Sequence, residues 1–161
     1  MLVLGSMPGD ASLRAGAYYA HPRNLFWPLM GGLLGFDPAL PYPGRITALN
    51  AAGIALWDVL AECARRGSLD SEIRDPRRND FDAFLAAHRG IGTLLFNGAR
   101  AEAEFLRGGM PVAAKALARE RLPSTSPANA AIPGPARAAA WAAALQRAGI
   151  TGANARATPQ A

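Results

Sequence analysis

The chain opens on Met1-Leu2-Val3-Leu4-Gly5-Ser6-Met7-Pro8-Gly9. An apolar run this short, cut off by glycine and proline, reads as a buried strand ending in a turn. The same grammar recurs further along. Gly53-Ile54-Ala55-Leu56-Trp57-Asp58 reads as a second buried strand, and residues 91–96 read as a third, ended by Asn97-Gly98. A fourth, short strand is expected at residues 120–122. Between these lie helical stretches: 24–34 with Asn24 as N-cap, 45–52, 59–66 broken by Gly67-Ser68-Leu69-Asp70, 99–107 and 135–148. Residues 80–88 form an amphipathic helix with Phe81, Phe84 and Leu85 on one face. Strands alternating with helices specify an α/β fold, here a three-layer αβα sandwich around a central, mostly parallel four-stranded sheet. Residues 1–150 form one domain, and the small, polar residues 151–161 are expected to be a disordered tail. A domain that begins inside its first strand is unusual, and an upstream segment is expected.

Composition narrows the chemistry. The formal charge is +5, and of the seventeen basic residues only Lys115 is a lysine. Arginine suits phosphate through its planar fork, so the balance favours a polyanionic partner. Cys63 stands alone, which excludes an internal disulfide and any cysteine-ligated zinc or iron–sulfur cage. His21 and His88 are too few and too separated for a metal site, so no metal or cofactor is expected. No apolar run has the length of a membrane span and no secretory signal is visible, so a cytoplasmic protein is expected.

Parallel sheets bind ligands at the carboxyl ends of their strands. Three such ends carry unusual residues. The first is Gly5-Ser6-Met7-Pro8-Gly9, followed by Tyr18-Tyr19-Ala20-His21-Pro22-Arg23-Asn24-Leu25-Phe26-Trp27. The second is Asn97. The third is Leu122-Pro123-Ser124-Thr125-Ser126-Pro127-Ala128-Asn129.

In these segments the chain resembles the uracil-DNA glycosylase superfamily. The nearest branch is the hypoxanthine-DNA (deoxyinosine) glycosylases, with the mismatch-specific uracil glycosylases next. The resemblance runs in order from Met1 to about Gly149. It implies a monofunctional enzyme, acting as a monomer without a cofactor, that hydrolyses the N-glycosidic bond of a flipped deaminated base, hypoxanthine, in double- or single-stranded DNA. It also implies roles. Asn24 is the catalytic amide; Gly5, Ser6, Met7, Tyr19 and Asn97 surround the base, with Tyr19 stacking on it and Asn97 reading its edge. Ser124, Thr125, Ser126, Pro127, Ala128 and Asn129 form the loop that pinches phosphates and fills the vacated stack. The mismatch-specific branch has an asparagine where this chain has Met7, and the wedge residue that the resemblance implies here, Ala128 or Asn129, is small. Lys115, the only side-chain amine, lies in an expected helical stretch outside every motif, which argues against a lyase.

Plainer roles stand beside these. Asn24 and Asn97 are good helix caps. The tyrosines can be packing residues, Ser124, Thr125 and Ser126 loop and capping residues, and Met7 a packing residue. His21 orients its loop rather than moving a proton. Arg74, Arg77 and Arg78 read as a solvated basic surface. The rival functions are a mismatch-specific uracil glycosylase and a catalytically weak relative that binds damaged DNA.

Overall fold

The computed structural model describes residues 1–65, 67–129 and 131–150. The expected tail at 151–161 lies outside the described residues. Four strands form the central sheet: β1 (Leu2–Gly5), β2 (Ala55–Asp58), β5 (Thr93–Asn97) and β6 (Ala118–Leu122), in the order β2-β1-β5-β6. All three pairings are parallel, with Leu4 facing Trp57 on one side and Phe96 on the other. Strand β1 is buried throughout, as a strand covered on both faces must be.

The two-residue period of the strands divides the core. Leu2, Leu4, Leu94 and Phe96 point to one face and pack with Phe81 and Leu85 of α4 (Phe81–Ala87) and Ala101 and Phe105 of α5 (Ala99–Leu106). Val3, Leu95 and Leu122 point to the other face. There they meet Phe26, Trp27 and Met30 of α2 (Phe26–Leu34), Leu49 of α3 (Tyr42–Ala51), and Trp141, Ala144 and Leu145 of α6 (Gly134–Arg147). The expected three-layer α/β sandwich is the fold observed. Among the described residues no helix is long and apolar enough to cross a membrane.

Three local expectations are corrected. Residues 60–64 form a strand, β3 (Leu60–Ala64), not a helix; Arg66, the last residue of the expected helix, is outside the described residues. The reason lies in the neighbours. Val59 and Leu60 donate their N–H groups to the carbonyls of Gly5 and Ser6, so the chain stays extended beyond β2. It then pairs antiparallel with β4 (Arg74–Arg78), Leu60 opposite Arg78 and Glu62 opposite Arg77. These pairings outweigh the helical preference of Ala61, Glu62 and Ala64, which amounts to only tenths of a kcal/mol per residue, roughly. Pro76 is compatible with β4 because that strand is an edge.

The second correction concerns Asp10–Ala15, which carries no expected element and forms a short helix, α1, closed by Gly16. The third concerns Lys115, which caps a single 3-10 turn (Val112–Ala114) rather than sitting in a helix.

Candidate active site

The carboxyl ends of the four parallel strands open into one cleft of about 580 Å³. Its walls carry Gly5, Ser6 and Met7 after β1, Tyr18, Tyr19, His21 and Asn24 from the segment before α2, Asn97 at the end of β5, and residues 123–129 after β6. Every site residue expected from the sequence therefore faces the same space.

The segment before α2 is held by a series of bonds. Tyr18 donates its N–H to the Tyr42 hydroxyl and accepts from Trp27 Nε1. Ala20 N–H bonds Ser12 Oγ, and His21 Nδ1 accepts from Arg23 N–H, the orienting role expected of it. Tyr19 has φ +56°, a sparsely populated conformation for a residue with a side chain. It stacks on Phe26 with ring centroids 4.1 Å apart, so one ring face is supported by the core while the residue lines the cleft.

Asn24 is not the N-cap of α2. That position belongs to Leu25, and α2 begins at Phe26. The Asn24 side chain still serves the helix start, because its Oδ1 accepts from Phe26 N–H at 2.9 Å. The Nδ2 group makes no hydrogen bond among the described residues. Leu25 N–H bonds the Thr125 carbonyl at 3.0 Å, tying this segment to the loop after β6.

Asn97 does not cap α5 either, since Gly98 occupies the cap. Its amide grips Thr125 from both ends: Nδ2 donates to Thr125 Oγ1 at 2.9 Å and Oδ1 accepts from Thr125 N–H at 2.8 Å. It also bonds the Tyr19 side chain. One buried amide thus joins the stacking ring, the third strand and the Ser-Thr-Ser-Pro loop. Gly98 is required here: its φ is +107°, and a Cβ would lie 2.9 Å from Ser124 Cβ.

Loop 124–129 is built from its own side chains. Ser124 Oγ accepts from Ser126 N–H, Ser126 Oγ from Ala128 N–H, and Asn129 Nδ2 donates to the Ser124 carbonyl. Helix α6 props both ends: Trp141 Nε1 bonds the Pro123 carbonyl, and the buried Arg137 bonds the carbonyls of Asn129 and Ile132. Met7 packs against the core beside the cleft, as its plainer reading has it.

One group was not singled out from the sequence. Asp58, at the end of β2, is 7% exposed and is the only acid among the described residues lining the cleft. A Cβ on Gly5 would lie 2.7 Å from Asp58 Oδ1, so glycine at position 5 lets the carboxylate lie against the β1 turn. The Tyr18 hydroxyl hydrogen-bonds Asp58. A carboxylate at a strand's carboxyl end in a parallel sheet was the available signal.

Burial is the main reason that the Tyr18 and Tyr19 phenols both titrate above the usual tyrosine range; the Asp58 charge adds to the rise, and the Asn97 hydrogen bond partly offsets it at Tyr19. A phenol pKa raised by folding stabilises the fold fully below the unfolded value of about 10 and loses that contribution as pH rises beyond it. The melting temperature is therefore expected to fall as pH climbs past about 10. Tyr18→Phe should blunt that fall, and an alkaline decline unchanged in Tyr18→Phe would rule Tyr18 out as a source.

The arginines divide by role. Arg78 is no solvated surface group: its NH1 donates to the carbonyls of Phe105, Arg107 and Gly109, closing the end of α5. Arg74 and Arg77 are exposed, beside Glu72 and Glu62. At the cleft itself stand Arg100 and Arg121. Arg100 is steadied by Glu104, whose side chain is fully buried, at 2.7 Å, and Arg121 pairs with Glu102.

The profile of the Uracil DNA glycosylase superfamily matches residues 1–147. A protein of Methanosarcina barkeri (strain Fusaro / DSM 804) named Hypoxanthine DNA glycosylase is 40% identical over 99 residues, 61% of this chain and 63% of that relative, so the aligned part falls short of two thirds of its length. A Methanosarcina acetivorans protein of the same name is 38% identical over 131 residues, 80% of each chain. The solution NMR structure of a Methanosarcina acetivorans protein provisionally named a uracil DNA glycosylase superposes with a TM-score of 0.75 at 34% identity, covering 91% of this chain and 88% of that one. The matched profile spans the strands and loops that build the cleft, and the chain belongs to the uracil DNA glycosylase superfamily.

Proposed function

We propose that this chain is a monofunctional DNA glycosylase that hydrolyses the N-glycosidic bond of a deaminated base, hypoxanthine, flipped out of DNA. The observation that carries this reading is the meeting of Tyr19, Asn24, Asn97, Asp58 and loop 124–129 in one cleft. The names of the two Methanosarcina relatives support hypoxanthine as the base.

A base buried in a duplex must leave the stack before its glycosidic bond can be reached. In the cleft, Tyr19 stacks on it, backed by Phe26. Asn97 borders the pocket where the base edge lies. Arg100, Arg121 and the hydroxyls of Ser124 and Ser126 meet the phosphates, which sets position rather than sequence. When the bond breaks, its electron pair goes to the base and positive charge spreads over the sugar. The Asp58 carboxylate supplies negative potential to that sugar, and Asn24 directs a water at its anomeric carbon. The water oxygen bonds to that carbon, and its proton ends in solvent. Preorganised groups of this kind supply much of the rate in such reactions. Met7 offers no amide to a water, which favours the deoxyinosine reading over the mismatch-uracil one.

The test is a panel of single-lesion oligonucleotides containing inosine, uracil, xanthine or oxanine, with abasic sites revealed by alkali. Inosine is expected to be cut fastest, in chelator, with no adduct trapped by borohydride and with binding that weakens as salt rises. Intact inosine strands after long incubation with excess enzyme would overturn the reading, and a trapped adduct would overturn its monofunctional part.

A further inference from the structure

An enzyme that extrudes a base leaves a gap in the stack, and proteins that open duplexes fill such gaps with an apolar side chain. Loop 124–129 is poorly equipped for this. Ala128 is exposed but ends in a methyl group, Pro127 is partly buried within the turn, and Asn129 is spent on Ser124 and Arg137. The cleft has four larger aliphatic residues on its wall: Met7, Leu69, Leu122 and Ile132. Leu122 is buried, Met7 packs against the core, and Ile132 is partly buried with its carbonyl held by Arg137. Leu69 alone of the four stands out, with 56% of its surface exposed.

Leu69 is also fixed in place. It lies in the segment joining β3 to β4. The neighbouring Ser68 accepts a hydrogen bond from Asp10 N–H at 2.8 Å and sits so near Gly9 that a Cβ there would lie 3.1 Å from its Oγ. The Leu69 carbonyl accepts from Glu72 N–H. The side chain is thus presented beside the turn that follows β1, while loop 124–129 enters the cleft from the edge strand β6, two strands away.

We propose that Leu69 is the wedge that enters the base stack when the lesion is extruded. This rests on the glycosylase reading and adds to it a residue outside the loop expected to do that work. The test is Leu69→Ala, measured in single turnover on inosine in a duplex and on the same strand alone, with 2-aminopurine placed beside the lesion. A single strand has no stack to fill, so the duplex-to-single-strand rate ratio should fall roughly tenfold or more, and the 2-aminopurine signal of duplex unstacking should weaken. Val112→Ala, at an exposed apolar residue that does not line the cleft, should leave both unchanged. An unchanged ratio and signal in Leu69→Ala would overturn the proposal, as would an equal loss in Val112→Ala. Loss of the glycosylase reading looks different: wild-type protein would cut neither substrate, and the 2-aminopurine signal on binding would still decide whether Leu69 unstacks DNA.

Discussion

Replacing Asn24 by alanine is expected to slow single-turnover cleavage of an inosine substrate by roughly 10² or more, the scale for losing one preorganised polar group. The side chain has two separable duties. Its Oδ1 accepts from Phe26 N–H at the start of α2, and its Nδ2 has no other bond among the described residues and is available to the cleft. Losing the first duty costs about 1 kcal/mol of stability, as for other helix-start acceptors. Losing the second removes the group proposed to direct the water. Lesion binding should change far less, because phosphate and stacking contacts remain. Asn24→Asp separates the duties: aspartate keeps an acceptor for Phe26, so stability should hold, while the amide donor is gone and activity should fall. The decisive number is the rate of folded Asn24→Ala at saturating enzyme. A value within about threefold of wild type would be too small for a preorganised catalytic group and would remove Asn24 from the mechanism.

Asp58→Asn should produce a loss of similar size, roughly 10² in the single-turnover rate, through a different cause. The substitution preserves shape and an acceptor for the Tyr18 hydroxyl but removes the one negative charge among the described residues of the cleft wall. If that charge serves the sugar cation, the rate falls while the fold persists. The spectroscopic companion is the titration of Tyr18 by ultraviolet absorbance. Part of the upward displacement of Tyr18 comes from the Asp58 charge, so the phenol should titrate lower in Asp58→Asn. A rate close to wild type, together with that lowered titration, would show that Asp58 only anchors Tyr18.

Much of the site was legible because its residues are unusual where they stand. A Gly-Ser-Met-Pro-Gly turn after the apolar β1, a double tyrosine ahead of His-Pro-Arg-Asn, and a Ser-Thr-Ser-Pro loop after Leu122 are each unusual combinations, and a parallel sheet gathers its strand ends on one side. Asp58 escaped notice because an aspartate after Leu-Trp reads locally as a strand end or a turn. Only its register beside Gly5 places it in the cleft. The two asparagines were legible as polar residues at element boundaries, where capping is the ordinary role. The bonds they make are with Phe26 and with Thr125, and neither residue occupies the cap itself.

The sequence by itself determined the central sheet and its layers. A strand buried on both faces must be apolar throughout, and Leu2 to Leu4 and Leu94 to Phe96 meet that demand wherever their partners lie. Tertiary structure alone decided what the chain does where local preference is weak. Residues 60–64 became a strand because Gly5, Ser6 and β4 offered backbone partners to a segment whose own helical preference is small. Arg78 became a clamp because the carbonyl end of α5 lies beside it. Asn97 became a cross-link because Thr125, 28 residues further on, returns to meet it. An apolar strand is recognised by what it excludes, which is water; a hydrogen-bonding group is defined by the partner it finds, and that partner is supplied by the fold.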